Sequence, residues 1–421
     1  MTTQTRPHPE VSPRGPLPLL VDRLFGTLFW GKMLSVIGVW THSLVAALVI
    51  FDATGSALMV GLVGVVQFGP QLILSPTSGK WADRGDPARQ VIIGRVLCAI
   101  GSGAIAVLLA VLHDAGPSAV TAVVLIGSFV VGIGFVVGGP AMQSIVPSLI
   151  RTGELPTAMA LNSVPMTIGR IVGPITGAFI AAHVGPAWAF GVSAALSLAF
   201  AVMLAVVRFP RPAPRKAGQD FRVRVALRHV WQDRPLLFAL IAVATVGFAS
   251  DPAITLAPSM AEEVGGGAQL VGQLSAAFGV GAAISLALLA ALRGRPSAPT
   301  TASIGLCALA LGNGLLAVSS NVGLAMLGFA VAGCGFGVAM TGLSTVVQQR
   351  APEALRGRIM ALWMVGFVGS RPLAAALLGG SADLFSAHFA FALGAGVVVI
   401  TAFICRPKAL SHPRDSALND V

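Results

Sequence analysis

The segment GSFVVGIGFVV, residues 127–137, recurs with substitutions as GFAVAGCGFGV, residues 328–338. The two segments share glycines at their first, sixth and eighth positions. The same shift of 201 residues pairs Arg170 with Arg371 and also repeats the tripeptide MAL. A single offset that holds over this distance predicts a chain built from two related halves.

Composition places these halves in a membrane. Of 421 residues, 55% are hydrophobic and 10% are charged, which no soluble domain of this size can present to water. A transmembrane helix needs about 20 mostly apolar residues. Twelve such spans are predicted, near residues 25–50, 57–78, 91–112, 119–145, 156–182, 186–208, 236–260, 269–292, 301–318, 323–347, 358–381 and 387–405.

The predicted fold class is an all-α polytopic membrane protein with twelve transmembrane helices in two parallel six-helix bundles. Six spans return the chain to its starting side, so both halves have the same orientation in the membrane. The expected organisation is an N-terminal tail (1–24), a first bundle (25–208), a basic linker (209–235), a second bundle (236–405) and a C-terminal tail (406–421).

The distribution of basic residues predicts the orientation. Lys and Arg lie in the tails and in the even-numbered connections, whereas the odd-numbered connections contain neither. Since basic residues concentrate in cytoplasmic loops, both termini are expected in the cytoplasm. We call this face of the membrane the basic side, and the other face the opposite side. The net charge of +11 is spread between spans, which argues against a nucleic-acid partner.

The sequence offers no chemistry for an enzyme or a cofactor. The four cysteines have no metal-ligand spacing, and there is no nucleotide-binding loop of the G-x-x-x-x-G-K-[ST] type. Paired carboxylates and His-rich clusters are also lacking, so neither catalysis, a metal nor a cofactor is expected. In the linker, FRVRVALRHVWQ is interpreted either as an amphipathic helix on anionic lipid or as a solvated loop.

Two arginines lie deep in apolar segments. Arg170 stands in MTIGRIVGPITG, residues 166–177, beside three glycines spaced by four residues. Such a stripe lets another helix approach closely, while a guanidinium at this depth must face protein or a water cavity. Arg170 and Arg371 are therefore interpreted as lining a positive cavity that favours an anionic substrate, or as pairing with carbonyls or with Asp251.

Proton coupling needs a titratable group inside the membrane. Asp251 is the one carboxylate well inside a span, and Pro252 after it predicts a helix break with extended backbone at Asp251. His42 lies about as deep in the first span, so His42 and Asp251 are hypothesised to form a proton site. The alternative is that Asp251 caps the broken helix and His42 donates to a carbonyl. Lys32 is expected to extend toward the lipid interface.

A cavity that binds drug-sized amphiphiles needs apolar walls with a few hydrogen-bonding groups. Each candidate below has helix packing as its alternative role. The candidates are Trp40, Gln67, Gln71, Gln143, Asn162, Met166, Phe248, Gln273, Met340 and Trp363.

Twelve spans in two parallel repeats, with SGKWADRGDPAR at residues 78–89 and NSVPMTIGRIVGPITG at residues 162–177, resemble the major facilitator superfamily. The resemblance runs from about residue 38 to 384. Within the superfamily, the chain is similar to the bacterial branch of enterobactin-type siderophore and small-molecule exporters. The resemblance implies the twelve-helix transporter fold and a location in a bacterial inner membrane.

The loop after the second span resembles the superfamily pattern G-x-x-x-D-R-x-G-R-R. The matching residues are Gly79, Asp83 and Arg84, with Arg89 nearby and Asp86 in place of the second glycine. The resemblance implies a charge switch that pairs across the bundle interface in one conformation. Without the resemblance, the same residues are interpreted as a charged turn.

The fifth span resembles the antiporter motif G-x-x-x-G-P-x-x-G-G. Gly169, Gly173, Pro174 and Gly177 match, and Ala178 replaces the last glycine. The motif implies export by proton exchange, whereas close helix packing alone is the alternative.

The function expected is secondary active, proton-coupled efflux of a small organic molecule, a drug-like amphiphile or a siderophore, by alternating access. Uptake by the same fold is the alternative, and a receptor or scaffold is disfavoured because the tails are short. The expected partners are the substrate, protons and lipid, with the protein functional as a monomer.

Overall fold

The computed structural model describes residues 14–111, 116–151, 154–207, 209, 223–292, 296–352 and 355–411. Within these ranges twelve helices are long and apolar enough to cross a membrane. Spans 1 to 12 begin with the helices Phe25–Thr54, Ala57–Arg84, Pro87–Val111, Pro117–Ile145, Leu155–His183, Pro186–Val206, Arg234–Ser250, Ala268–Ala291, Ala298–Ala317, Val322–Arg350, Arg356–Ala374 and Ala387–Ile404. When the continuations of spans 7 and 11 described below are included, the expected spans agree with the structure to within six residues, and the fold class is confirmed.

Two spans are interrupted. Span 7 continues through the short helices Pro252–Thr255 and Ala257–Glu263, and span 11 through a π-helical turn, Ala375–Gly379, into Gly380–Leu384. Short helices elsewhere are Pro16–Leu20, Val146–Leu149 (a 3₁₀ turn), Val223–Gln232 and Pro407–Leu410. The helix at 223–232 falls within the segment that was interpreted either as an amphipathic helix or as a solvated loop, while residues 210–222 of the linker lie outside the described part.

Short polar side chains start several spans on the opposite side. The Ser56 hydroxyl accepts the Met59 N–H at 3.2 Å at the start of span 2, and Asn321 caps span 10 in the same way at 2.9 Å. Each cap satisfies a backbone donor that the helix leaves free. Span 1 ends at Gly55, whose φ of 63° is accessible to glycine and lets the chain reverse within two residues.

Helix packing repeats between the two halves. In the first half span 3 packs on spans 4 and 6, span 1 on spans 5 and 6, and span 2 on span 4. The second half contains the equivalent pairs, span 9 with 10 and 12, span 7 with 11 and 12, and span 8 with 10. The duplication inferred from the opening segment therefore describes the architecture. The domain boundaries given above stay a prediction.

The glycines shared by the repeated segments explain this packing. A Cβ on Gly132 would overlap the Gln67 carbonyl of span 2, and one on Gly333 would overlap the Phe278 carbonyl of span 8. Because only a missing side chain permits this approach, the repeat retains glycine where spans 4 and 10 cross their neighbours.

On the basic side, Arg14 ties the start of the described chain to span 5. Its Nε donates to Glu154 Oε1 at 2.8 Å, and Nη1 lies 2.8 Å from Asp22 Oδ2. The hydrogen bond from Arg14 lowers the pKa of Glu154 to about 2, since it favours the ionised carboxylate. This cluster lies outside the membrane-spanning segments and holds the entry into the first bundle.

Candidate functional site

The two bundles meet along spans 2 and 11 and along spans 5 and 8. Asp251 lies near this boundary, at the break in span 7. Its carboxylate accepts the Thr255 hydroxyl at 2.7 Å and its Oδ1 lies 3.6 Å from Nε of Arg371. The buried carboxylate and guanidinium therefore form an ion pair inside the second bundle.

The break was expected, but the extended backbone at Asp251 was wrong. Asp251 has φ −63° and ψ −38°, a helical conformation. Its carbonyl accepts the N–H groups of Ile254 and Thr255 at 3.0 and 3.2 Å, which requires a helical turn and overrides the preference set by Pro252.

Arg371 reaches an aromatic ring of the other bundle. Its guanidinium carbon lies 5.0 Å from the ring centroid of Phe68 in span 2 and 5.5 Å from that of Phe367 in span 11. Phe68 in turn packs edge-on against Phe135 at 6.2 Å. The positive charge is thus held by one carboxylate and by ring faces, which attract cations.

Arg170, the repeat partner of Arg371, is surrounded by rings. Its guanidinium carbon lies 5.0 Å from Trp40, 4.9 Å from Phe278 and 4.5 Å from Phe336. Phe278 and Phe336 belong to the second bundle. Among the described residues, no carboxylate oxygen lies within 4.0 Å of Arg170. We call Arg170, Arg371 and Asp251 the central cluster; its formal charge is one positive unit when Asp251 is ionised.

A small void adjoins Arg170, whereas a positively lined cavity was one of the alternatives expected for the two arginines. The void beside Arg170 measures about 10 Å³ and is lined by Trp40, Pro174, Ala253, Ile254, Ser275 and Phe278. It has room for about one water molecule, whereas a drug-sized ligand needs roughly 300–1,000 Å³. The reason is that aromatic side chains from both bundles fill the space around the guanidinium.

His42 is not brought to Asp251, so the hypothesised pair is not formed. Its Nδ1 lies 3.0 Å from Ser102 Oγ and its Nε2 lies 3.1 Å from Ser128 Oγ, and the side chain is fully buried. Trp40 is two residues away, which on an α-helix is a rotation of about 200°. Because Trp40 faces the boundary between the bundles, His42 faces spans 3 and 4 instead.

Lys32 is buried rather than extended toward the lipid interface, so that expectation was wrong. Its ammonium donates to the backbone oxygen of Asn162 at 2.7 Å and to its side-chain oxygen at 2.8 Å. The Asn162 amide donates to Gln143 at 3.0 Å. Two oxygens from span 5 thus replace the water that the ammonium loses.

Two further polar contacts were not found from the sequence. Arg95 of span 3 is buried and donates to Ser35 at 2.7 Å. Asp383, at the end of span 11, crosses the bundle boundary on the opposite side to span 2. It accepts the Ser56 hydroxyl at 2.5 Å and the N–H groups of Ala57 and Leu58 at 2.6 and 3.2 Å. The sequence signals for this contact were an acid at the end of span 11, Asp383, and a serine that can cap the start of span 2, Ser56.

Small residues accompany this contact. A Cβ on Gly61 would lie 2.6 Å from Ala375 Cβ, and one on Gly379 would lie 2.9 Å from Leu58 Cα. A Cβ on Gly272 of span 8 would overlap Ala178 of span 5. The bundles are therefore tightly docked on the opposite side.

The glycines of the span 5 motif face span 1. A Cβ on Gly173 would lie 2.9 Å from the Ile37 carbonyl, and one on Gly177 3.2 Å from the Thr41 carbonyl. The Thr41 hydroxyl also donates to the Gly173 carbonyl at 3.0 Å. Gly169 packs on Val36, so this face holds spans 1 and 5 together.

The loop after span 2 is described only in part. Its backbone is helical to Arg84, but the surroundings of Gly79, Asp83 and Arg84 lie outside the described residues. Arg89 is exposed, and its N–H donates to Asp86 at 3.2 Å.

The candidate cavity residues lie in different environments. Trp40 contacts Arg170, and Trp363 stacks on Phe367, which contacts Arg371. Buried candidates are Trp40, Gln67 and Asn162; partly buried ones are Gln71, Phe248, Met340 and Trp363; exposed ones are Gln143, Met166 and Gln273. The two tryptophans thus adjoin the central cluster.

Two bundles related by an internal repeat, docked around a buried charged cluster, define a multi-pass membrane transporter, and solved transporters share the fold. The protein is similar to a D-xylose-proton symporter with a TM-score of 0.74 at 12% identity, covering 90% of this chain and 97% of that one. A POT family transporter in complex with a thioalcohol-conjugated peptide gives 0.70 at 14% identity, covering 90% and 94%.

The family model described as transmembrane secretion effector matches residues 14–419, so the chain belongs to this family of the major facilitator superfamily. It is 25% identical over 379 residues to the enterobactin exporter EntS of Shigella flexneri, which covers 89% of each chain. The same exporter of Escherichia coli O81 (strain ED1a) is 24% identical with equal coverage. The protein is a secondary transporter, and its role is transport rather than catalysis.

Proposed function

We propose that the protein exports a small organic molecule by alternating access, coupled to inward proton flow through Asp251. The observation that supports this most is the central cluster itself. The Asp251 carboxylate and the Arg371 guanidinium lie buried near the place where the two bundles meet. The partly buried Arg170 adds a second positive charge beside them. Ionisable groups inside a membrane are costly to bury, and those that are present mark substrate and ion pathways.

Asp251 is the proposed proton carrier because its charge controls the cluster. When ionised it neutralises Arg371 across 3.6 Å. When protonated it leaves that guanidinium without a counter-charge in a poorly solvated site, which is strongly unfavourable while the site stays closed. Protonation therefore favours a conformation in which water reaches Arg371, and rocking of the bundles supplies it.

The efflux direction is supported by the exporters among the relatives and by the glycine motif of span 5. The charge distribution supports cytoplasmic termini and an inner-membrane location. With that orientation, the side closed by Asp383 faces away from the cytoplasm. On the basic side, Asp83 and Arg84, with Gly79 and Arg89, are proposed as the corresponding charge switch. Function as a monomer, with the helix at 223–232 on anionic lipid, completes the proposal.

Accumulation assays test this function. Bacterial cells with and without the protein are given a panel of siderophores, lipophilic cations and neutral aromatic compounds, before and after collapse of the proton gradient. Lower accumulation in the expressing cells, abolished by collapse and by Asp251→Asn, is expected. Asp52→Asn, which removes an exposed acid at the end of span 1, is the matched control. Higher accumulation would show uptake, and a difference that survives collapse would disprove proton coupling.

A further inference from the structure

Aromatic rings form a continuous lining between the two arginines. Arg170 lies 4.5 Å from Phe336, Phe336 lies 6.1 Å from Phe367, and Phe367 lies 5.5 Å from Arg371. Phe278 also packs on Phe336, at 5.7 Å. Each guanidinium thus ends a path of ring faces through the second bundle.

The rings that hold each arginine come partly from the opposite bundle. Arg170 of the first bundle contacts Phe278 and Phe336 of the second, and Arg371 of the second contacts Phe68 of the first. When the bundles rock apart at this boundary, each guanidinium loses ring faces, and only Trp40 stays with Arg170. A desolvated cation over aromatic faces is stabilised substantially, so the opened site favours a molecule that restores them.

The carboxylate lies beside this lining. The void next to Arg170 is also lined by Ala253 and Ile254, which follow directly on the Asp251 break. Among the three charges of the central cluster, Asp251 is the one hydrogen-bond acceptor. A further positive charge is disfavoured because two guanidiniums already outnumber the carboxylate.

We infer that the substrates are aromatic compounds that carry a hydroxyl group and no positive charge. The ring replaces the phenylalanine faces over Arg170, and the hydroxyl donates to ionised Asp251. This inference rests on the proposed function and specifies its substrate class. It also explains the exchange, because a proton on Asp251 replaces a charge-assisted hydrogen bond from the substrate hydroxyl by a weaker neutral one, and the substrate leaves. Substrate and proton then bind in alternation, as exchange requires.

The test measures binding to the purified full-length protein in detergent. Three probes share a fused two-ring skeleton: 2-naphthol, its saturated analogue decahydro-2-naphthol, and the cation 2-naphthyltrimethylammonium. We expect 2-naphthol to bind at least tenfold more tightly than either of the others. Its affinity should fall as the pH is lowered, and Asp251→Asn should abolish that pH dependence.

Arg170→Lys keeps the charge but removes the planar guanidinium, which stacks better on rings than an ammonium does. We expect it to weaken 2-naphthol binding at least fivefold. Arg406→Lys is the matched control, because Arg406 lies 4.6 Å from the Phe403 ring at the end of span 12, outside the central cluster. Thermal unfolding of both variants checks that they fold.

Equal binding of the saturated analogue, tighter binding of the cation, or an unchanged affinity in folded Arg170→Lys would overturn the inference. These outcomes differ from failure of the proposed function. If gradient-dependent export of other compounds persists while 2-naphthol fails these tests, the transporter assignment stands and the substrate class is wrong.

Discussion

Replacing Asp383 by Ala should open the opposite side of the transporter. The carboxylate joins span 11 to the start of span 2 through three hydrogen bonds, at 2.5, 2.6 and 3.2 Å. A hydrogen bond to a charged group contributes about 1.5–3 kcal/mol, and a lost helix cap costs about 0.5–2 kcal/mol. Asp383 is exposed, so water screens these contacts and a total near 2 kcal/mol is reasonable. Since about 1.4 kcal/mol is tenfold, the closed state should lose roughly 30-fold in population relative to the open state.

Spin labels on the opposite side measure this shift. Ser118 begins span 4 and Val318 follows span 9, and both are exposed, so a labelled pair reports the separation of the bundles in a background without native cysteines. Asp383→Ala should add a longer-distance population that Glu262→Gln does not produce. Glu262 is another exposed acid on that side. Identical distance distributions in wild type and Asp383→Ala would refute the assignment of Asp383 as a stabiliser of closure.

Three further perturbations follow from the contacts. Gly61→Val should produce the same longer spin-label distance, because a Cβ at this position would lie 2.6 Å from the Ala375 Cβ. Gly64→Val should not, since a Cβ placed on Gly64 would meet no neighbouring atom within 4 Å. Asn162→Ala should lower the melting temperature, because it removes a 2.8 Å partner of the buried Lys32 ammonium and costs about 1–3 kcal/mol; an unchanged melting temperature would contradict this. Folding lowers the pKa of Glu154 from 4.5 to about 2, so its stabilisation is complete above pH 4.5 and is lost as the pH falls toward 2. Melting temperatures measured across this range should fall less steeply in Glu154→Gln, and parallel profiles would argue against it.

Much of the architecture follows from sequence because it depends on local pattern. Apolar runs fix the spans, and one offset of 201 residues fixes the pairing of Arg170 with Arg371. That each of these arginines faces protein or water also follows, since a guanidinium within the membrane is tolerated only there. These inferences need no knowledge of how helices are rotated.

The sequence-based predictions that failed depend on how each helix is rotated and on how the two bundles dock. His42 was selected by its expected depth in the membrane, but depth does not specify the face of the helix, and Trp40 takes the face toward the boundary. Lys32 finds its oxygens on span 5, a partner 130 residues away that no local pattern indicates. The contact of Asp383 and the aromatic packing around Arg170 depend on how two bundles meet in one conformation. That arrangement changes during transport, so the sequence does not specify a single answer.

The central claim is that Asp251 carries a proton in exchange for substrate. Its most direct test uses everted membrane vesicles acidified by respiration, with a fluorescent dye that reports the proton gradient. Addition of an exported compound should dissipate the gradient in vesicles with the wild-type protein and in those with Asp52→Asn, but not in those with Asp251→Asn. Dissipation that persists unchanged in folded Asp251→Asn would contradict the claim.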